Sequence, residues 1–142
     1  MGYTHYWKVT KPLSKEAYEA FIMDIAEVGF HQAKFLDNSV DKTDDDGVIA
    51  FNGIGSESHE TFVWENKVID FNFCKTARKA YDPAVCAILI LVKKHYGEGV
   101  EISSDGNWSE WNPGRLIIAD IFGAEYGSHM GEFIFAKEGQ PA

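Results

Sequence analysis

The residues most able to do chemistry lie in FNFCKTARKAYDP, residues 71–83, where Lys75, Arg78 and Lys79 fall within five positions. These are three of only 13 Lys and Arg in a chain of 142 residues with net charge −9. Directly downstream, Asp82 and Pro83 mark a helix start, Asp as N-cap and Pro at the first helical position. A helix N-terminus carries about half a positive charge and several unpaired amides. Cations gathered there need a negative partner. That partner is either the protein's own acidic side chains, of which there are 22, or a bound anion such as phosphate. The second reading is the leading expectation, with Thr76 donating its hydroxyl to a phosphate oxygen and Tyr81 offering a ring to a base. An internal ion-pair network is the alternative. The stretch has no GxxxxGK[ST] run and is not a Walker loop.

A second stretch, FNGIGSESHETF at residues 51–62, places Gly53 and Gly55 where a loop could bring backbone amides to a phosphate. His59 could hydrogen-bond a ligand or act as an acid or base. Its neighbour Glu60 would point to the other side of a strand. In GYTHYW, Tyr3, His5 and Trp7 share one strand face and Thr4 and Tyr6 the other. Tyr3 or Tyr6 could stack a base, and Trp7 is expected in the core. His5 and His59 are the catalytic candidates, and they meet only if their strands pair. No HxH or HExxH spacing supports a metal site, and no cofactor is expected. The acidic run at residues 44–46 lacks the ligand pattern of a calcium loop. SSDG at 103–106 is turn chemistry, and WSEW at 108–111 is a candidate partner contact.

These groups must be positioned by a chain that alternates strand and helix. Strands are expected over 3–9, 48–53, 59–65, 68–73 and 100–104, with a tight turn at Asn66 and Lys67. Helices are expected over 15–28, capped by Ser14, over 82–96, apolar on nearly all sides, and over 113–122. Residues 37–47 form a polar, acidic loop, and 131–136 is a candidate final edge strand. The pattern is α+β: a mainly antiparallel sheet of four to five strands with two to three helices on one face, compatible with a ferredoxin-like core. Residues 1–142 fit one domain.

Bulk properties narrow the function classes. Hydrophobic content of 45% and aromatic content of 14% support a packed core. The acidic balance disfavours broad nucleic-acid binding and anionic membrane surfaces. The longest apolar run, AVCAILILV at 84–92, is about half of what a bilayer span needs. Cys74 and Cys86 make no CxxC motif, which fits free thiols and a cytoplasmic location.

Taken together, GYTHYW, NGIGSESHETF, FCKTARKAYD and SSDG resemble a family of small uncharacterised proteins encoded by bacteriophages and prophages. The resemblance covers most of the chain from Gly2 to Trp108. Ala80 stands where the family's KTARKPYD has proline. The family carries no assigned activity; it implies a small protein of the host bacterial cytoplasm that binds a nucleotide or nucleotide-derived signal, sequestering it against host defence. A hydrolase acting on a phosphate ester or glycosidic bond is the second expectation, with His59 or His5 as acid or base. The third is an acidic inhibitor that docks on a host protein or assembles as a homo-oligomer.

Overall fold

The computed structural model describes residues 3–37 and 47–123. Among these residues the architecture is α+β, with three α-helices and five strands divided between two antiparallel sheets. Strand β1 (Thr4–Val9) alternates as its aromatic, β-branched sequence requires, burying His5, Trp7 and Val9. It is the centre of a three-stranded sheet, flanked by β4 (Ile69–Lys75) and β5 (Val100–Ser104). The register sets Tyr6 opposite Phe73 on one side and His5 opposite Ser104 on the other.

Both outer strands run antiparallel to β1, so they are parallel to each other and need a crossover. Helix α2 (Asp82–Tyr96) supplies it. This split β-α-β unit around a central strand is half of the ferredoxin-like arrangement. The other half departs from it: β2 (Ile49–Phe51) and β3 (Phe62–Trp64) pair with each other as a separate ribbon. Strands β3 and β4 are therefore not a hairpin across Asn66 and Lys67. Asn66 instead ties the link between them to the start of the first helix, accepting from Leu13 N–H at 2.9 Å and donating to Leu13 O at 2.9 Å.

Helix α1 (Lys15–His31) begins where Ser14 Oγ accepts from Ala17 N–H and buries Phe21, Ile25 and Val28. It runs past Gly29, beyond the boundary expected from sequence, to an end where His31 Nε2 meets Asp120 at 2.6 Å. Residues 84–92 of α2 are buried throughout, because the helix has α1, α3 (Asn112–Phe122) and the sheet around it. The aromatic centre joins the two sheets: Trp7 packs 5.3 Å from Phe62 and 5.7 Å from Trp64 between ring centroids. Trp64 Nε1 donates to the Tyr96 hydroxyl at 3.1 Å, and burial pushes that phenol up to about 12. Among the described residues no helix is long and apolar enough to cross a membrane. The acidic residues 38–46 and the candidate strand at 131–136 lie outside the described residues.

Candidate functional site

The start of β1, the ends of β4 and β5 and the first turn of α2 meet at one end of the three-stranded sheet. His5 is fully buried there. Its Nε2 lies 2.7 Å from Asp82 Oδ1 and its Nδ1 lies 2.8 Å from Ser104 Oγ. Ser104 Oγ also accepts from Gly106 N–H at 2.9 Å and from Trp111 Nε1–H at 3.1 Å. With both hydroxyl lone pairs taken by N–H donors, the Ser104 proton must go to His5 Nδ1. Hydrogen-bond accounting thus assigns the ring proton to Nε2, which donates to Asp82. Thr76 Oγ1 donates to the same Asp82 oxygen at 2.5 Å, and the Cys86 thiol lies 3.6 Å from Oδ2.

Asp82 is therefore not the cap of α2. Tyr81 occupies the cap position, and the Asp82 carboxylate turns inward. Burial would raise its pKa, but the hydrogen bond from His5, with those from Thr76 and Cys86, outweighs burial and holds it below the ordinary carboxyl value. The Cys86 thiol is pushed well up by burial and by Asp82. His5, Asp82 and Cys86 offer three donor atoms within 4.8 Å of one another. A metal on His5 Nε2 would move the ring proton to Nδ1 and force a third N–H donor on Ser104 Oγ, so the donor set suits a hydrogen-bonded network better than an ion.

Tyr3 roofs this cluster, its ring edge-on to His5 at 5.1 Å. Its hydroxyl is buried and has no partner among the described residues. The hydroxyl is pressed against Gly106, where a Cβ would collide with it. Burial, then the charges of Cys86, Asp82 and Glu110, push the phenol far up.

Above Tyr3 lies the cationic segment. Lys75 is the last residue of β4, so the three cations do not share one loop. Residues 76–79 make a turn closed by Lys79 N–H to Thr76 O at 3.0 Å. Its central residues, Ala77 and Arg78, have φ of 53° and 60°, as in a type I′ turn. Such turns favour Asn and Gly; Ala and Arg held left-handed cost about 1–2 kcal/mol each. The turn is pinned by Thr76 and Ala77 N–H groups, which both donate to Tyr3 O. It carries the Arg78 guanidinium 3.9 Å over the Tyr3 ring and onto Glu110 Oε2 at 3.0 Å. Glu110 sits below its ordinary pKa because Asn107 N–H and Arg78 both donate to it. Lys75 and Lys79 have no ion pair among the described residues.

The glycine loop joins this end from the ribbon side. Gly53 is a packing glycine: a Cβ there would strike Glu57 O and the Tyr81 ring. Its N–H donates to Asn52 Oδ1 and does not face a ligand. Gly55 has φ of 57° and is exposed. Glu60 is a clamp: its carboxylate accepts from Lys75 N–H at 2.8 Å and its carbonyl accepts from the Tyr81 hydroxyl. Glu57 accepts from Ala80 N–H at 2.9 Å, a bond that proline at position 80 could not make.

The structure thus brings Tyr3, His5, Thr76 and Arg78 together. His59 is exposed, held through its backbone to Asn52, on a loop whose strand does not pair with β1. Thr76 and Tyr81 are fully buried, so neither presents a hydroxyl or ring to a ligand. Trp111 is core and no partner contact. Sequence reasoning missed Ser104 and Glu110 as members of the site and gave Asp82 the wrong role. Only the β1–β5 register reveals Ser104, and no local signal carries it. No protein-family profile, curated protein or solved structure matches the chain.

Proposed function

We propose that this protein binds a small phosphate-bearing ligand at the turn formed by residues 75–79, through Arg78 with Lys75 and Lys79. The observation that carries the reading is the strained turn: two successive non-glycine residues are held left-handed to carry an exposed arginine over an aromatic ring. Strain of this kind persists where the surroundings over-determine it, and it gathers at ligand sites. Two more cations stand beside it without carboxylate partners among the described residues. The Arg78–Glu110 pair is 61% and 38% exposed in its side chains, so water screens it and a multivalent anion can compete for the guanidinium.

On the resemblance to phage-encoded proteins, the ligand is a nucleotide or nucleotide-derived signal whose sequestration would counter host defence. The hydrolase alternative has less support, because both ring nitrogens of His5 are engaged and its ring is fully buried. The acidic-inhibitor alternative rests on the acidic loop at 37–47, of which 38–46 lie outside the described residues, and on the Trp108 and Trp111 region, where Trp111 is buried.

Isothermal titration with pyrophosphate tests the reading. Binding should fall about tenfold or more in Arg78→Ala and tighten in Glu110→Gln, which removes the competing carboxylate. An internal ion-pair role predicts no pyrophosphate binding in any of the three proteins. Affinity that survives Arg78→Ala would sink the proposal.

A further inference from the structure

The open face of the three-stranded sheet carries a feature that the phosphate turn alone does not use. The side of β1 that bears His5, Trp7 and Val9 is buried, His5 against Asp82 of α2 and Trp7 against Phe62 and Trp64 of β3. On the other side, alternation brings Phe73 and Lys75 of β4 beside Tyr6 and Thr4 of β1, and Phe71 reaches the Tyr6 ring from the next position along. Phe71 is 62% and Phe73 46% exposed there. Phe71 stacks on Tyr6 at 6.0 Å and 29°, and lies 5.9 Å from Phe73. The Tyr6 ring is held in place by its hydroxyl, which donates to Asp105 Oδ1 at 2.9 Å. Among the described residues three aromatic rings thus form an exposed platform, the kind of surface on which a ligand can stack.

We infer that this platform is the base-binding subsite of a nucleotide whose phosphates lie at the 75–79 turn. The inference rests on the phosphate reading above and adds to it the surface that holds the base. Its support is continuity along one strand. Lys75 shares the face of Phe73, two residues and about 6–7 Å further along β4, and the turn that follows it carries Arg78 over Tyr3 at the end of the sheet. An apolar aromatic platform that ends in Lys75, next to the phosphate turn, matches a molecule with a flat base at one end and phosphate at the other. The acidic groups nearby are engaged or offset: Asp105 accepts from Tyr6 and from Thr4 N–H, and Glu101 stands opposite Lys8. Base stacking on exposed aromatic side chains tolerates any base and suits Phe as well as Tyr. The platform also replaces Tyr3 and Tyr81 as stacking residues, since both are buried.

The test compares pyrophosphate with ADP, GDP, CDP and UDP by isothermal titration, in wild type, Phe73→Ala and Arg78→Ala. Circular dichroism checks the fold of each variant; Phe73 is exposed enough that its removal should leave the core intact. At least one nucleoside diphosphate should bind about tenfold or more tighter than pyrophosphate. Phe73→Ala should abolish that gain while leaving pyrophosphate affinity within about twofold. Equal affinity for pyrophosphate and all four nucleotides, or a gain untouched by Phe73→Ala, overturns the subsite and leaves the phosphate site standing. Pyrophosphate binding indifferent to Arg78→Ala overturns the phosphate site, and with it this inference. Absence of binding by every probe overturns both. A concentration-dependent dimer in sedimentation that Phe73→Ala abolishes would make the platform a self-interface, and would overturn the subsite as well.

Discussion

Two layers meet at the end of the three-stranded sheet, with Tyr3 between them. Below it, the side-chain polar atoms of His5, Ser104, Thr76 and Asp82 all have partners at hydrogen-bond distance. Above it, Arg78 rides a strained turn, its carboxylate partner Glu110 is exposed, and Lys75 and Lys79 have none among the described residues. The buried layer holds the residue types most associated with catalysis, yet their mutual saturation makes them a staple that joins β1, β5 and α2. The outer layer is less conspicuous in residue type, and it is the layer left with unmet charge. The difference teaches that satisfaction of hydrogen bonds, more than residue identity, separates holding groups from ligand-facing ones.

The sharpest way to break the comparison is to cut each layer in turn. His5→Ala should destabilise the fold by about 3 kcal/mol, because it orphans the Ser104 hydroxyl and strips the buried Asp82 carboxylate of its closest donor. Arg78→Ala should leave the denaturation midpoint nearly unchanged while removing pyrophosphate binding. Urea unfolding of both variants measures this. Were Arg78→Ala to cost as much as His5→Ala, the outer layer would be structural too.

A second cut falls on the boundary. Gly106→Ala sets a methyl group against the Tyr3 hydroxyl and should cost about 2 kcal/mol. Tyr3→Phe removes that hydroxyl, which has no partner among the described residues, and should be neutral or slightly stabilising alone. The double variant should recover much of the loss, and a double-mutant cycle on melting temperature would show the coupling. Additive effects would mean that the two groups do not oppose each other as the geometry requires.

The buried layer also has a pH signature. The folded Asp82 carboxyl lies below its ordinary value of 3.8, so the folded state takes up this proton less readily than the unfolded chain. Its stabilisation is present above 3.8 and lost as pH falls through the lower folded value. Asp82→Asn should therefore be less stable at neutral pH and show a shallower loss of melting temperature on acidification below 3.8. An acid limb as steep as that of wild type would place the titrating group elsewhere.

Much of the scaffold was legible beforehand because it follows from local rules. The strand face of Tyr3, His5 and Trp7, the Ser14 cap and the apolar run of α2 each depend on residues near in sequence. The α+β class follows from them. What local rules cannot supply is pairing. That β3 joins β2 while β4 joins β1 depends on contacts across the whole chain, and so does the meeting of His5 with Ser104, 99 positions away. The cationic cluster was visible as composition, but its division between a strand end and a type I′ turn was not. Ala-Arg is a poor sequence signal for that turn. Asp82 misled for the opposite reason: Asp before Pro is so strong a cap signal that its tertiary role was hidden.

The finest test concerns the strain itself. Ala77 holds φ of 53°, a conformation that glycine adopts without the Cβ penalty. Ala77→Gly should relieve about 1–2 kcal/mol in the folded state. The freer unfolded chain returns about 0.5–1 kcal/mol of that. The net expectation is a gain of about 0.5–1 kcal/mol in stability, read from the urea midpoint. If the turn exists to hold Arg78 ready over Tyr3, the same change should weaken pyrophosphate binding a few-fold, because a glycine turn must be ordered when the ligand arrives. Stability up with affinity down is the pattern of strain kept for binding. Stability up with affinity unchanged would mean that the left-handed turn is only the shortest path from β4 to α2, and the difference between the two layers would then rest on charge alone.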